Sequence, residues 1–266
     1  MSLHRHAVEW LTPEWPAPVG VRVVSTLRRG GVSAAPFAAL NLGGHVGDVE
    51  ADVACNRQRL ATAVGLPSGP VWLRQVHGTH VADLDAEDRA ALGADATGGP
   101  APADAAFTRS RGRVCAILTA DCLPIVLAAD SGDLVGAAHA GWRGLAGGVI
   151  EATVTALRAA QTLGAAPSTL LAWLGPAIGP RHFEVGAEVR AALLQGDPGA
   201  GAAFAAHARG SYMADLYALA RRRLQAAGVS RIYGGNECTF ADRERYFSHR
   251  RDGLTGRQAT LVWMEN

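Results

Sequence analysis

Apolar positions along the chain fall into short runs separated by glycine-rich turns, with amphipathic stretches between and after them. Val21 to Leu27 is rich in β-branched residues and ends at Arg28-Arg29-Gly30-Gly31, which predicts a strand closed by a turn. Asp52 to Val64 places Val53, Leu60 and Val64 on one stripe, with Gly65 and Pro67 just beyond, and predicts a helix. Val71 to Val76 and Val81 to Leu84 predict two short strands around His77-Gly78. Glu87 to Ala103 is polar, rich in Ala and Gly and closed by Pro102, as a surface excursion would be. Three buried strands are predicted at Val114 to Thr119, Leu123 to Ala129 and Leu134 to Ala138. A helix from Arg143 to Leu163 ends at Gly164, and a strand from Leu170 to Leu174 is stopped by Gly175-Pro176. Gly196 to Gly201 reads as a loop, Met213 to Ala227 as a helix ended by Gly228, and Val229 to Tyr233 and Thr260 to Met264 as late strands. No repeat of fixed period appears. The pattern predicts an α/β or α+β fold, one domain over residues 1–266, with layered sheets and covering helices.

Composition narrows the chemistry. Of 266 residues, 48% are hydrophobic and 18% charged, enough apolar surface for a substantial core. A formal charge of +1 removes the electrostatic case for a nucleic-acid or membrane-surface binder. The chain has 52 Ala, 25 Arg and no Lys. Schiff-base chemistry, pyridoxal phosphate anchoring and a P-loop all need a lysine amine and are excluded. Any anion must be held by Arg, His or backbone N–H. Cys55, Cys115, Cys122 and Cys238 form no C-x-x-C, and their scatter fits a reduced, cytoplasmic protein. The N-terminal residues show no signal-peptide core, and the apolar stretch Val114 to Ala129 is interrupted by Asp121 and Pro124, so no membrane span is expected.

Several chemistry-bearing residues stand at predicted strand ends beside glycines, where pockets form. His77 precedes Gly78, Asp121-Cys122 separates two apolar strands, and His139 opens Ala140-Gly141-Trp142-Arg143-Gly144. Two imidazoles and a thiolate can hold Zn²⁺ with a fourth position open. The spacings of 45 and then 17 residues match no local ligand pattern. Taken singly, Cys122 also reads as a small core residue and each His as one satisfied by backbone.

Longer motifs carry a resemblance. Gln75-Val76-His77-Gly78, Thr119-Ala120-Asp121-Cys122-Leu123-Pro124 and His139-Ala140-Gly141-Trp142-Arg143-Gly144 resemble, in order and content, the YfiH family, whose members have also been called laccase-domain or polyphenol oxidase proteins. The likeness extends to residues 36–48, Asn56-Arg57, residues 175–180, Cys238-Thr239, residues 248–253 and Thr255-Gly256-Arg257, covering residues 20 to 264. It implies a layered αββα fold and Zn²⁺ held by His77, Cys122 and His139. Two places depart from the family pattern. Arg181, His182 and Phe183 stand where two Cys and a Tyr are frequent, and Ser248-His249 replaces a frequent Ser-Tyr.

The resemblance implies purine nucleoside phosphorolysis: adenosine, inosine or methylthioadenosine with phosphate would give base and sugar 1-phosphate. It also implies adenosine deamination. Phosphate would need Arg57 or Arg143, with Asn41 and His45 adding donors, and Asp121 would orient a ligand or move protons. A multicopper oxidase needs paired His-x-His motifs, whereas the chain supplies one, His4 and His6, outside the shared motifs; Cu²⁺ can still enter a His-Cys-His site. Two rivals remain: a hydrolase editing peptidoglycan precursors, with Cys122 as nucleophile and His139 as base, and a metal-binding protein without turnover. The expected partners are nucleoside and phosphate, with the chain a monomer or homodimer.

Overall fold

The computed structural model describes residues 7–86, 102–161 and 168–266. In chain order come β1 (Trp10–Leu11), β2 (Val21–Thr26), α1 (Glu50–Val64), β3 (Val71–Trp72), β4 (Val81–Asp83) and β5 (Ala105–Thr108). Then follow β6 (Cys115–Thr119), β7 (Leu123–Ala129), β8 (Val135–Ala140), α2 (Trp142–Gly147), α3 (Val149–Ala160) and β9 (Leu170–Leu174). The remainder is β10 (Glu184–Val185), α4 (Ala187–Leu194), β11 (Phe204–Ala206), β12 (Tyr212–Ala214), α5 (Leu216–Ala226), β13 (Arg231–Gly234), α6 (His249–Asp252) and β14 (Gln258–Met264).

Two mixed sheets carry the fold, in the orders β1-β2-β14-β6-β3 and β13-β9-β7-β8-β5-β4, with a small third sheet β10-β12-β11 beside them. The strands are apolar on both faces because both faces are covered. Val21, Val23, Ile117, Val262 and Met264 of the first sheet pack against Val126, Ala128, Val135, Ala137 and Trp173 of the second. On its outer face the first sheet turns Val24, Ala116, Leu118 and Leu261 toward Leu60 of α1 and toward Leu40 and Leu42. On its outer face the second sheet turns Leu123, Ile125, Leu127 and Leu174 toward α3, α4 and α5 through Val154, Leu193 and Leu224. The result is the αββα layering. Burying a side chain such as Leu60 completely stabilises the fold by about 1.5–3 kcal/mol.

Several boundaries differ from expectation, each for a local reason. The helix expected over Arg143 to Leu163 is two helices, α2 and α3, because Gly148 takes φ 97°, where a right-handed helix cannot continue. The helix expected from Met213 starts only at Leu216: Met213 and Ala214 are in β12, and the Asp215 side chain accepts from the N–H of Ala218 at 2.9 Å. The strand expected over Val71 to Val76 stops at Trp72, since the N–H groups of Val76, His77 and Gly78 all turn to the Asp104 carboxylate. Residues 184–214, left largely unassigned by periodicity, hold β10, α4, β11 and β12. Of the surface excursion expected over Glu87 to Ala103, residues 87–101 lie outside the described residues, as do His4 and His6. Among the described residues no helix is long and apolar enough to cross a membrane.

Candidate metal centre

The turn joining β6 to β7 carries the chain from the first sheet to the second, and Cys122 sits in it. Asp121 takes φ 98° and His77 φ 60°, left-handed conformations that cost non-glycine residues about 1–3 kcal/mol each and persist only when their surroundings hold them. For Asp121 those surroundings are plain. Its carboxylate accepts from Thr239 Oγ1 at 2.6 Å and from the Arg250 N–H at 2.7 Å, and its carbonyl accepts from the Ile178 N–H at 2.9 Å. Asp121 is thus committed to fastening the turn.

For His77 the holding group is Asp104, which no sequence pattern pointed to. Asp104 is fully buried just before β5 and accepts the N–H groups of Val76, His77 and Gly78 at 3.2, 2.9 and 2.7 Å. Its Oδ1 also lies 2.8 Å from Nδ1 of His139, which is buried on β8. A carboxylate only accepts, so Nδ1 carries the proton and Nε2 is the ring nitrogen left for a metal. Burial opposes a charged Asp104, but His139 and the backbone donors prevail and hold its carboxyl below the usual range.

His77, Cys122 and His139 present one ligand atom each, all within 4.8 Å of one another. Cys122 Sγ lies 3.7 Å from His77 Nε2, close to the roughly 3.6 Å that tetrahedral Zn–S and Zn–N bonds impose on two donors. The imidazoles meet edge to face, 4.7 Å between centroids. Burial works to raise the Cys122 thiol, yet neighbouring His139 and His77 bring it below the ordinary thiol range. Burial works to lower His139, yet Cys122 and Asp104 hold it above the ordinary imidazole range. Without metal, the contact favours movement of the thiol proton toward His139. A metal cation would take the place of that proton, as metal binding at such ligands requires.

Gly141 makes room for the centre. A Cβ there would lie 2.7 Å from His77 Cδ2 and 2.9 Å from Cys122 Sγ, although the backbone, at φ −68°, would accept any residue. Gly141→Ala should therefore displace two ligands. We expect metal affinity to fall by at least about tenfold while the melting transition loses only the roughly 1–3 kcal/mol of an overpacked site. Metal titration beside a thermal melt checks this; unchanged affinity would contradict the packing argument.

The three donors line a cavity of about 370 Å³, within the range of small-molecule sites. Leu118, Trp142, Ile178 and Phe183 supply apolar lining, while His45, Arg143, His249, Arg250 and Arg257 supply cationic or protonatable groups. Asp121 is the one carboxylate among the lining residues. His45 and Arg143 are thus brought to the site as expected from sequence, and His249, a departure from the family pattern, is there with Phe183, another. Asn41 and Arg57 are not among the lining residues. The fully buried Asn41 side chain organises its own loop, bonding Gly43, Asp48 and the N–H of Arg257. The Arg57 guanidinium donates twice to the Leu42 carbonyl, at 3.1 and 2.8 Å, and lies 4.2 Å over the Trp72 ring. Arg57 clamps its loop, whereas Arg257, part of the shared Thr255-Gly256-Arg257 motif but given no role from it, lines the cavity.

Comparison with known proteins agrees with this geometry. Residues 22–265 match the family described as multi-copper polyphenol oxidoreductase laccase. The purine nucleoside phosphorylase of Xylella fastidiosa (strain 9a5c) is 53% identical over 260 residues, covering 96% of each chain. The purine nucleoside phosphorylase YfiH of Escherichia coli (strain K12) is 49% identical over 254 residues, covering 96% of this chain and 98% of its own. The crystal structure of YlmD from Geobacillus stearothermophilus superposes with a TM-score of 0.88 at 36% identity, covering 99% of this chain and 98% of that one. With the layered fold and the His-Cys-His centre in place, near-complete coverage at such identities establishes that the chain belongs to the YfiH family.

Proposed function

We propose that the chain is a zinc-dependent purine nucleoside phosphorylase acting on adenosine, inosine or methylthioadenosine. The observation that carries the reading is one cavity lined at once by three convergent metal donors, an apolar and aromatic wall, and a cationic wall. Two close relatives bear the name of that activity. In the reaction an oxygen of phosphate bonds to C1′ of the sugar while the C1′–N9 bond breaks. The bonding pair leaves on the purine nitrogen, which takes up a proton. Trp142 and Phe183 add aromatic surface to the wall that would receive the base, and the cationic lining neutralises the incoming phosphate. His77, Cys122 and His139 would hold the metal, which supplies Lewis-acid polarisation of a bound oxygen. Asp104 keeps His139 in the tautomer that presents Nε2.

One observation favours a second reading. Cys122, His139 and Asp104 stand in the order of a thiol nucleophile, its base and the group orienting that base. This arrangement suits a hydrolase acting on peptidoglycan precursors. His77 argues against it: a triad has no use for a second imidazole 3.7 Å from the sulfur.

Assays with each nucleoside, with and without phosphate, separate the readings. We expect base and sugar 1-phosphate only when phosphate is present, with any deamination of adenosine seen as inosine or hypoxanthine. Base release that ignores phosphate, or inertness toward all three nucleosides, would overturn the proposal.

A further inference from the structure

We infer that Arg257 anchors an oxyanion in the cavity, and that in the reaction proposed above this oxyanion is the phosphate co-substrate. Four features of the fold build the site around it. The backbone N–H of Arg257 donates to Asn41 Oδ1 at 2.9 Å, and its carbonyl accepts from the Leu42 N–H at 3.1 Å. The stem of the side chain passes over Gly43, where a Cβ would sit 2.8 Å from its Cγ. One guanidinium nitrogen, Nη1, donates to the carbonyls of Thr255 and Gly256 at 2.9 and 3.0 Å, which fixes the plane of the fork. The other two, Nε and Nη2, have no hydrogen-bond partner among the described residues, and no carboxylate pairs with this cation there.

Such an arrangement leaves two donors of a half-buried, oriented cation free to take a ligand. The alternatives in the same lining are less suited. Arg143 is exposed and lies over the Trp142 ring at 4.4 Å. Arg250 is exposed, donates to the Glu184 carbonyl at 2.8 Å and lies 5.4 Å over Phe183. Both oxygens of Asp121, the one acidic lining residue, are taken by Thr239 and Arg250. The lining therefore carries three guanidinium groups against the one carboxylate of Asp121, an excess of positive charge. Thr119 adds a further donor: it lines the cavity at 2% exposure, and its hydroxyl has no partner among the described residues. A preset guanidinium fork with a nearby hydroxyl suits a tetrahedral oxyanion, and a chain without lysine has no point charge to offer instead.

The inference rests on the phosphorolysis reading, and the experiment keeps the two separable. Metal-loaded wild-type protein is treated with phenylglyoxal with and without inorganic phosphate, and modified arginines are mapped by peptide mass spectrometry. Arg257 should be shielded selectively. In parallel, Arg257→Gln and Arg257→Lys should raise the KM for phosphate by on the order of 10–100-fold, the worth of a charge-assisted fork, while the nucleoside KM stays within about threefold. Shielding of Arg257 without any nucleoside turnover would support the oxyanion site and discard phosphorolysis. Phosphate-dependent turnover with an unshielded Arg257, or an unchanged phosphate KM in the variants, would overturn the inference and leave phosphorolysis standing. The shielding measurement uses unaltered protein, so it decides even where a variant fails to fold.

Discussion

Purified wild-type protein is expected to carry about one equivalent of zinc per chain, three protein donors with one open position being the catalytic zinc pattern, and His77→Ala to arrive almost free of metal. Removing His77 leaves Cys122 and His139, and two donors do not hold zinc against solvent and chelators. His139→Ala should do the same. The sulfur reports the same event independently. Free of metal, the Cys122 thiol is drawn below the ordinary thiol range by its two imidazole neighbours, against the effect of burial, and should alkylate with iodoacetamide faster than an ordinary cysteine. Bound to metal, the same sulfur should be protected. Metal analysis of the variants, with mass spectrometry of Cys122 before and after chelation, checks both. A substrate adduct trapped on Cys122 of the metal-loaded enzyme would promote the hydrolase reading over ours.

The second large effect belongs to Asp104. Four donors converge on its two oxygens: three backbone N–H groups and the ring of His139. Asp104→Ala should cost about 3–5 kcal/mol, because a buried, hydrogen-bonded charge pair loses one partner. In a chain of this size that lowers the melting temperature on the order of 10 °C. Asp104→Asn keeps the volume but offers one acceptor in place of two, and its amide N–H groups face donors. We expect Asp104→Asn to fold and to lose about 10–100-fold in metal affinity, since both His77 and His139 depend on this carboxylate for their placement. Competition with a coloured chelator measures the affinity without reference to turnover. An Asn variant with wild-type affinity would reduce Asp104 to a buried structural acid.

The three metal donors were legible in the sequence because each stands in a run of residues that keeps its neighbours in order: His77-Gly78, Asp121-Cys122, His139-Ala140-Gly141. The four central strands were legible because strands buried on both faces are continuous apolar runs. Asp104 was not, because a lone Asp among Ala and Pro has no periodicity and its four donors come from residues 26 to 35 positions away. Arg57 and Arg257 could not be told apart in the sequence for a related reason. Both flank the Asn41 loop, and only the structure shows that the Arg57 guanidinium turns to the Leu42 carbonyl while Arg257 lines the cavity. The small sheet of residues 184–214 escaped because strands of two or three residues are too short for alternation to register.

β14 occupies the middle of the first sheet, between β2 and β6. Ser25 and Thr260, whose hydroxyls meet at 3.0 Å across that pairing, are 235 residues apart. Until residues 258–264 leave the ribosome, β2 and β6 have no neighbour to join them, and at about 5–20 residues per second that wait lasts many seconds. Residues shortly before β14 include Thr239 and Arg250, which hold Asp121, and Arg257, which lines the cavity. A nascent chain therefore already owns all three metal donors before Thr239 and Arg250 have fastened Asp121, the neighbour of Cys122. A message cut short before residue 239 yields a chain with the three ligands and a Cys122 turn that lacks two of its fastenings.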